Sequence, residues 1–148
     1  MGVARIAPAL LGLFLLGLAG RADAVLPPEA YLAARREADL HVQIKVQKIR
    51  LRPSDEACRI EGRVLRAFRG EVRPGARFLF DAPCRFPGAA PMPGPILWFQ
   101  PEDLRKGQVL EGFFEGPPDR PRLARSQLFV VASGTDAPRC GTEDYACR

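Results

Sequence analysis

Residues 58–80 read CRIEGRVLRAFRGEVRPGARFLF. Cys58, Ile60, Gly62 and Val64 alternate with polar residues, a segment with two glycines and a proline follows at 69–75, and alternation resumes at Ala76, Phe78 and Phe80. Successive side chains of a strand point to opposite faces, so a period of two on either side of a turn predicts two strands and a tight connection. Gly62 has no side chain to pack and marks a bend rather than a flat position. A long strand that bends midway suggests a closed or half-closed small barrel.

The flanking sequence extends the same pattern. In LHVQIKVQKIRLR, residues 40–52, Leu40, Val42, Ile44 and Val46 share one face while His41, Gln43, Lys45 and Gln47 share the polar face. After Val46 the apolar set slips to Ile49 and Leu51, which predicts a β-bulge or strong coiling. Residues 52–57, RPSDEA, make the turn into the next strand. Upstream, Pro27 and Pro28 introduce EAYLAARREAD, a short helix laid across one end of a sheet, with Glu29 in the first turn where negative charge suits the helix dipole.

Downstream, residues 81–95 are too rich in proline and glycine to carry ladder bonds and predict a long surface loop pinned by Cys84. Residues 96–99, ILWF, read as a short buried strand, and 101–107, PEDLRKG, as a helical turn ended by Gly107. Residues 108–116 form another strand, 117–125 a solvated connection, and 126–133, SQLFVVAS, the last strand. Residues 136–148 are a polar tail with two cysteines of its own. The count is one short helix, five to six strands and a helical turn between later strands: a mainly-β single domain over 25–135.

The first 24 residues are set apart from that domain. Arg5, the apolar run 6–20 and Ala22-Asp23-Ala24 have the order of a secretory signal peptide, and the run is too short and too broken by Gly and Pro to suit a spanning helix. The chain is therefore expected in the periplasm or outside the cell, without a membrane span once cleaved. Losing Arg5, Arg21 and Asp23 takes the formal charge from +5 to about +4, an excess that reads as ordinary surface charge. Cys58, Cys84, Cys140 and Cys147 form an even set that predicts two disulfides; of three pairings, 58 with 84 and 140 with 147 is preferred. A zinc site is disfavoured, because no Cys-x-x-Cys occurs and the single histidine, His41, is remote from the tail.

The strand from Ala38, the segment VLRAFRGEVRPGARFLF, the cysteine loop and ILWFQ together resemble the netrin-like and tissue-inhibitor-of-metalloproteinases-like modules. The resemblance covers roughly 38–116. It is carried most by Phe68-Arg69-Gly70 and Pro74-Gly75, similar to the turn of bacterial members. It implies an OB-like five- to six-stranded barrel used for binding. In the animal inhibitors a terminal cysteine chelates the protease zinc, whereas the expected mature terminus here is Val25-Leu26-Pro27-Pro28. The fold carries over without that inhibitory device.

No catalytic grouping is legible. Ser54, Ser126 and Ser133 lie outside any Gly-x-Ser-x-Gly elbow, and His41 falls on the polar face of its strand, where exposure is expected. The pairs Asp55-Glu56 and Glu102-Asp103 read as caps, and no phosphate loop or dinucleotide fingerprint occurs. No catalytic residue, cofactor or metal ligand is assigned, and nucleic acid is not an expected partner. The expected role is that of an exported non-catalytic module binding a protein or envelope component, with inhibition of a secreted or periplasmic protease, a metalloprotease included, as the alternative. Candidate contact residues are Arg85, Phe86 and Met92 in the Pro-rich loop, and Arg120, Arg122 and Arg125 in the late connection.

Overall fold

The computed structural model describes residues 26–89, 96–143 and 147. The expected leader, Val25 and Met92 lie outside the described residues. Helix α1 spans Pro28–Glu37, and five strands follow: β1 Leu40–Arg52, β2 Ala57–Arg69, β3 Arg77–Pro83, β4 Val109–Glu115 and β5 Arg122–Val131. They form one antiparallel sheet in the order β3-β2-β1-β4-β5. The sheet rolls until its two edges, β3 and β5, approach one another, but no ladder joins them. The architecture is thus mainly-β and OB-like, open along one seam.

The curl comes from β1. Its first half pairs with both β2 and β4, its second half with β2 alone, and its register with β2 shifts at 41/42, 43/44 and 46/48. The last of these is the bulge predicted by the slip after Val46, and each extra residue adds local twist. Gly62 stands where β1 and β2 approach closely: a Cβ there would lie 2.8 Å from the carbonyl oxygen of Lys45. Only glycine accommodates that approach without a backbone shift.

The inner face is filled as the alternation requires. Val42, Ile44 and Val46 of β1, Ile60 and Val64 of β2, Phe78 and Phe80 of β3, Leu110 and Phe114 of β4 and Leu128 of β5 form one buried cluster. The Phe114 ring meets Phe78 and Phe80 edge-on, with centroids 5.0 and 4.8 Å away. Such geometry sets ring edges against ring faces and adds about 0.5–1.5 kcal/mol per pair beyond area burial. Both disulfides have the preferred pairing. Cys58–Cys84 is buried and ties β2 to the segment leaving β3.

Four expectations need correction. Residues 96–99 are not a buried strand: Ile96 and Leu97 are exposed, and only Phe99 bridges, to Cys84. The segment is bracketed by Pro95 and Pro101, which lack ladder donors. The last strand begins at Arg122 rather than Ser126, because residues 124–127 bulge opposite Phe113 and hide the continuity of the pairing. The adjacent acids do not cap: both short helices, Pro53–Asp55 and Pro101–Asp103, lack a side-chain cap bond, and Asp55 instead pairs with Arg52. Finally, His41 and Gln43 are buried rather than on a wet face. The helix and the tail cover that part of the sheet.

Candidate functional site

The outer surface of the sheet divides into a covered half and an open half. Over β1, β4 and β5, α1 and the C-terminal segment build a second small core of Ala34, Ala38, Phe113, Ala124 and Cys140, with Phe129 and Cys147 against it. Arg35, on the inward side of α1, is buried there. Its guanidinium lies 4.8 Å from the Phe129 ring centroid and 5.6 Å from that of Phe113, donates from Nε to Gln127 Oε1 at 2.8 Å and donates to the Gly141 carbonyl at 2.9 Å. The bulge in β5 is what turns Gln127 inward to meet it. Arg125 and Ser126, at its apex, have φ of 43° and 57°, a left-handed backbone that non-glycine residues adopt at a cost of about 1–3 kcal/mol each.

The covered half also holds a buried carboxylate. Glu111 faces outward from β4 opposite Gln43, and it collects four donors: His41 Nε2–H at 2.8 Å, Gln43 Nε2–H at 2.6 Å, and the backbone N–H groups of Arg139 and Cys140 at 3.0 and 2.9 Å. Gln43 also binds Thr135 twice, through its Oγ1 and its N–H. Burial pushes the Glu111 carboxyl toward protonation, but the bonds from His41, Gln43 and the two backbone groups outweigh it and hold its pKa below 4.5. The His41 ring stacks on Phe113 at 3.9 Å. This network fastens the tail to the sheet.

A paired histidine and carboxylate could in principle move a proton. Here Glu111 is fully buried, His41 nearly so, and none of Ser54, Ser126 or Ser133 hydrogen-bonds the imidazole among the described residues. In this arrangement the pair is buried and its Nε2–carboxylate bond is used to hold the tail segment. Among the described residues no cluster of three His, Cys, Asp or Glu side chains is placed to hold a metal ion.

An accessible concavity lies on the seam. A recess of about 430 Å³ separates the free edge of β3 from the loop and strand that include β5, lined by Arg59, Leu79 and Asp81 on one side and Asp119, Arg120 and Arg122 on the other. Phe80, Pro83, Pro121, Leu123 and Ser126 complete its walls. Arg59 forks onto Asp81 with two 2.8 Å bonds, and this bond holds the Asp81 carboxyl below its usual range. Arg122 pairs with Glu115 at 3.2 Å. The recess is thus a polar-walled trough between two strand edges whose backbone groups have no ladder partner on that side among the described residues.

The candidate residues named from sequence are dispersed. Arg120 and Arg122 line the seam, whereas Arg125 lines a different recess with Ala30, Ala33 and Glu37 of α1. Arg85 and Phe86 line a separate recess of about 300 Å³ with Gln100 and Glu102, and Phe86 also packs against the main core. Sequence reasoning missed Leu79, Asp81 and Arg59 as a wall of one trough, because only strand order brings β3 opposite β5. It also missed Glu111, whose buried role has no local signature beyond an acid within an apolar run. No protein-family model matches the chain, and no curated protein matches it.

Proposed function

We propose that the chain is an exported, non-catalytic binding module that takes an extended polypeptide segment into the seam between β3 and β5. The observation that supports this reading is the pair of unpaired strand edges facing one another across the trough. A guest strand would add to the β3 edge by main-chain hydrogen bonds while its alternate side chains enter the trough beside Leu79 and Leu123. Roughly three residues of β3 point their N–H and C=O groups outward; six new bonds at a net ~1 kcal/mol each give about 6 kcal/mol before ordering costs. Micromolar binding requires about 8 kcal/mol, so contacts in the trough must supply the rest and would set specificity.

The test is selection from a random peptide display library against the oxidised protein, followed by titration of the recovered peptides into wild-type and Leu79→Lys protein. Peptides that bind wild type and lose about tenfold or more on Leu79→Lys support the seam. Recovered peptides indifferent to Leu79→Lys, yet weakened by Arg85→Glu, would move the site to the loop after β3. Inhibition of a metalloprotease by the same preparation would favour the inhibitory alternative.

A further inference from the structure

The charge of this chain is not spread over its surface. Cross-strand register on the open half of the sheet, over β1, β2 and β3, aligns three outward-facing rows: Lys45, Arg63 and Arg77; Lys48, Glu61 and Leu79; Arg50, Arg59 and Asp81. These nine positions hold six cations and two carboxylates, a net +4. The rest of the sequence after position 24 balances, with fourteen basic against fourteen acidic residues. The whole excess that reads as ordinary surface charge in the sequence is collected on one sheet face.

Three of the cross-strand pairings oppose stability, although Lys48 faces Glu61 and Arg59 faces Asp81. Lys45 is opposite Arg63, Arg63 opposite Arg77, and Arg50 opposite Arg59, and like charges directly across an antiparallel pair are destabilising. Two arginines are occupied internally: Arg77 forks onto Glu61 at 2.9 and 3.0 Å, and Arg59 onto Asp81. Lys45, Lys48, Arg50 and Arg63 have no carboxylate within ion-pair distance among the described residues. Lys48, Arg50, Arg59 and Arg77 converge with Glu61 and Leu79 on a recess of about 60 Å³, room for one small anionic group.

We infer that this face is a docking surface for a linear acidic polysaccharide bearing carboxylate groups. The face already shows the chemistry twice, holding the carboxylates of Glu61 and Asp81 in forked arginine bonds. Its cations recur in rows about 6.8 Å apart along the strands and about 4.8 Å across them, which suits a ligand whose charge also repeats. Leu79 is the only apolar side chain in the nine. A protein partner would want buried aromatic or aliphatic anchors, and a bilayer would reward apolar insertion; the face offers neither beyond Leu79. Single-stranded nucleic acid would want stacking rings, which none of the nine positions supplies. This surface is separate from the peptide seam, although Arg59, Leu79 and Asp81 border both.

The test uses the oxidised full chain with polygalacturonate, neutral dextran and vesicles of 30% phosphatidylglycerol in phosphatidylcholine, titrated at low ionic strength. Polygalacturonate is expected to bind and the other two not, with affinity falling as salt rises. Lys48→Glu with Arg50→Glu should lower that affinity on the order of tenfold or more. The matched reversal Arg36→Glu with Arg139→Glu, on the covered half, should change it less than about threefold. Equal losses in the two double variants would reduce the effect to net charge and overturn the inference. So would failure of the wild type to bind polygalacturonate, equal binding to dextran, or tighter binding to the vesicles. A thermal melt of each variant establishes that it is folded, and the wild-type arms decide the question by themselves if one is not.

Discussion

Replacing Glu111 by Gln tests the account of the covered half at its tightest point. The two carboxylate oxygens accept four bonds: Oε1 from His41 and Cys140, Oε2 from Gln43 and Arg139. A glutamine retains one oxygen and puts an NH₂ where the other was. With its NH₂ at the Oε1 position the amide faces the Cys140 N–H, while His41 can change tautomer and accept; with its NH₂ at the Oε2 position it faces Gln43 and the Arg139 N–H. Leaving one or two buried donors unsatisfied costs about 1–3 kcal/mol each, so the loss is about 1–6 kcal/mol. Against a total stability of about 5–15 kcal/mol the upper end of that range is a large fraction. At about 3–6 °C per kcal/mol for a domain of this size, thermal unfolding followed by circular dichroism should shift down by roughly 3 °C or more. Limited proteolysis should at the same time cut between 132 and 143 before the strands, because the same carboxylate holds the Arg139 and Cys140 backbone. A shift under about 2 °C with an uncut tail would refute the reasoning that this carboxylate fastens the tail.

The same group sets a pH dependence. The folded pKa of Glu111 lies below 4.5, so its stabilisation is complete above the unfolded value and is lost as pH falls through the lower folded one; acid titrations should show a steeper loss below about pH 4.5 in wild type than in Glu111→Gln. Removing the tail disulfide with Cys140→Ser and Cys147→Ser opens a ring of seven residues' separation and should cost about 2.5 kcal/mol in denaturant melts. Gly62→Ala puts a methyl 2.8 Å from the Lys45 carbonyl oxygen and should cost about 1–3 kcal/mol, with Gly75→Ala, where no heavy atom lies within 4 Å but φ is +81°, costing about 1 kcal/mol from backbone strain alone. Arg50→Glu removes a like-charge pairing with Arg59 and should leave the melting temperature unchanged or slightly higher.

The inner face was legible in the sequence because one physical rule writes it: alternation at 40–46, 58–64 and 76–80 put the right residues inside, and the phase slip after Val46 marked a real bulge. The outer face was not legible, because two different environments share one pattern. His41 and Gln43 read as polar-face residues just as Lys45 and Gln47 do, yet α1 and the tail bury the first two and leave the second two exposed. That difference is decided by non-local contacts from residues 30–38 and 135–141, which carry no period of their own. The start of β5 was hidden for a related reason: its bulge puts four residues against one, and a charged, proline-punctuated segment then looks like loop. The seam needed strand order, which brings Leu79 and Arg122 together across more than forty residues of sequence.

The seam is tested most directly by amide hydrogen exchange, followed by NMR, on the oxidised protein with and without a peptide recovered from the display library. The outward-pointing amides between Arg77 and Ala82 in β3 should exchange rapidly in the free protein and become protected when the peptide binds, together with the facing edge of β5. Protection confined to residues 84–89, or a bound peptide that leaves the β3 edge as exchangeable as before, would contradict the seam as the binding site.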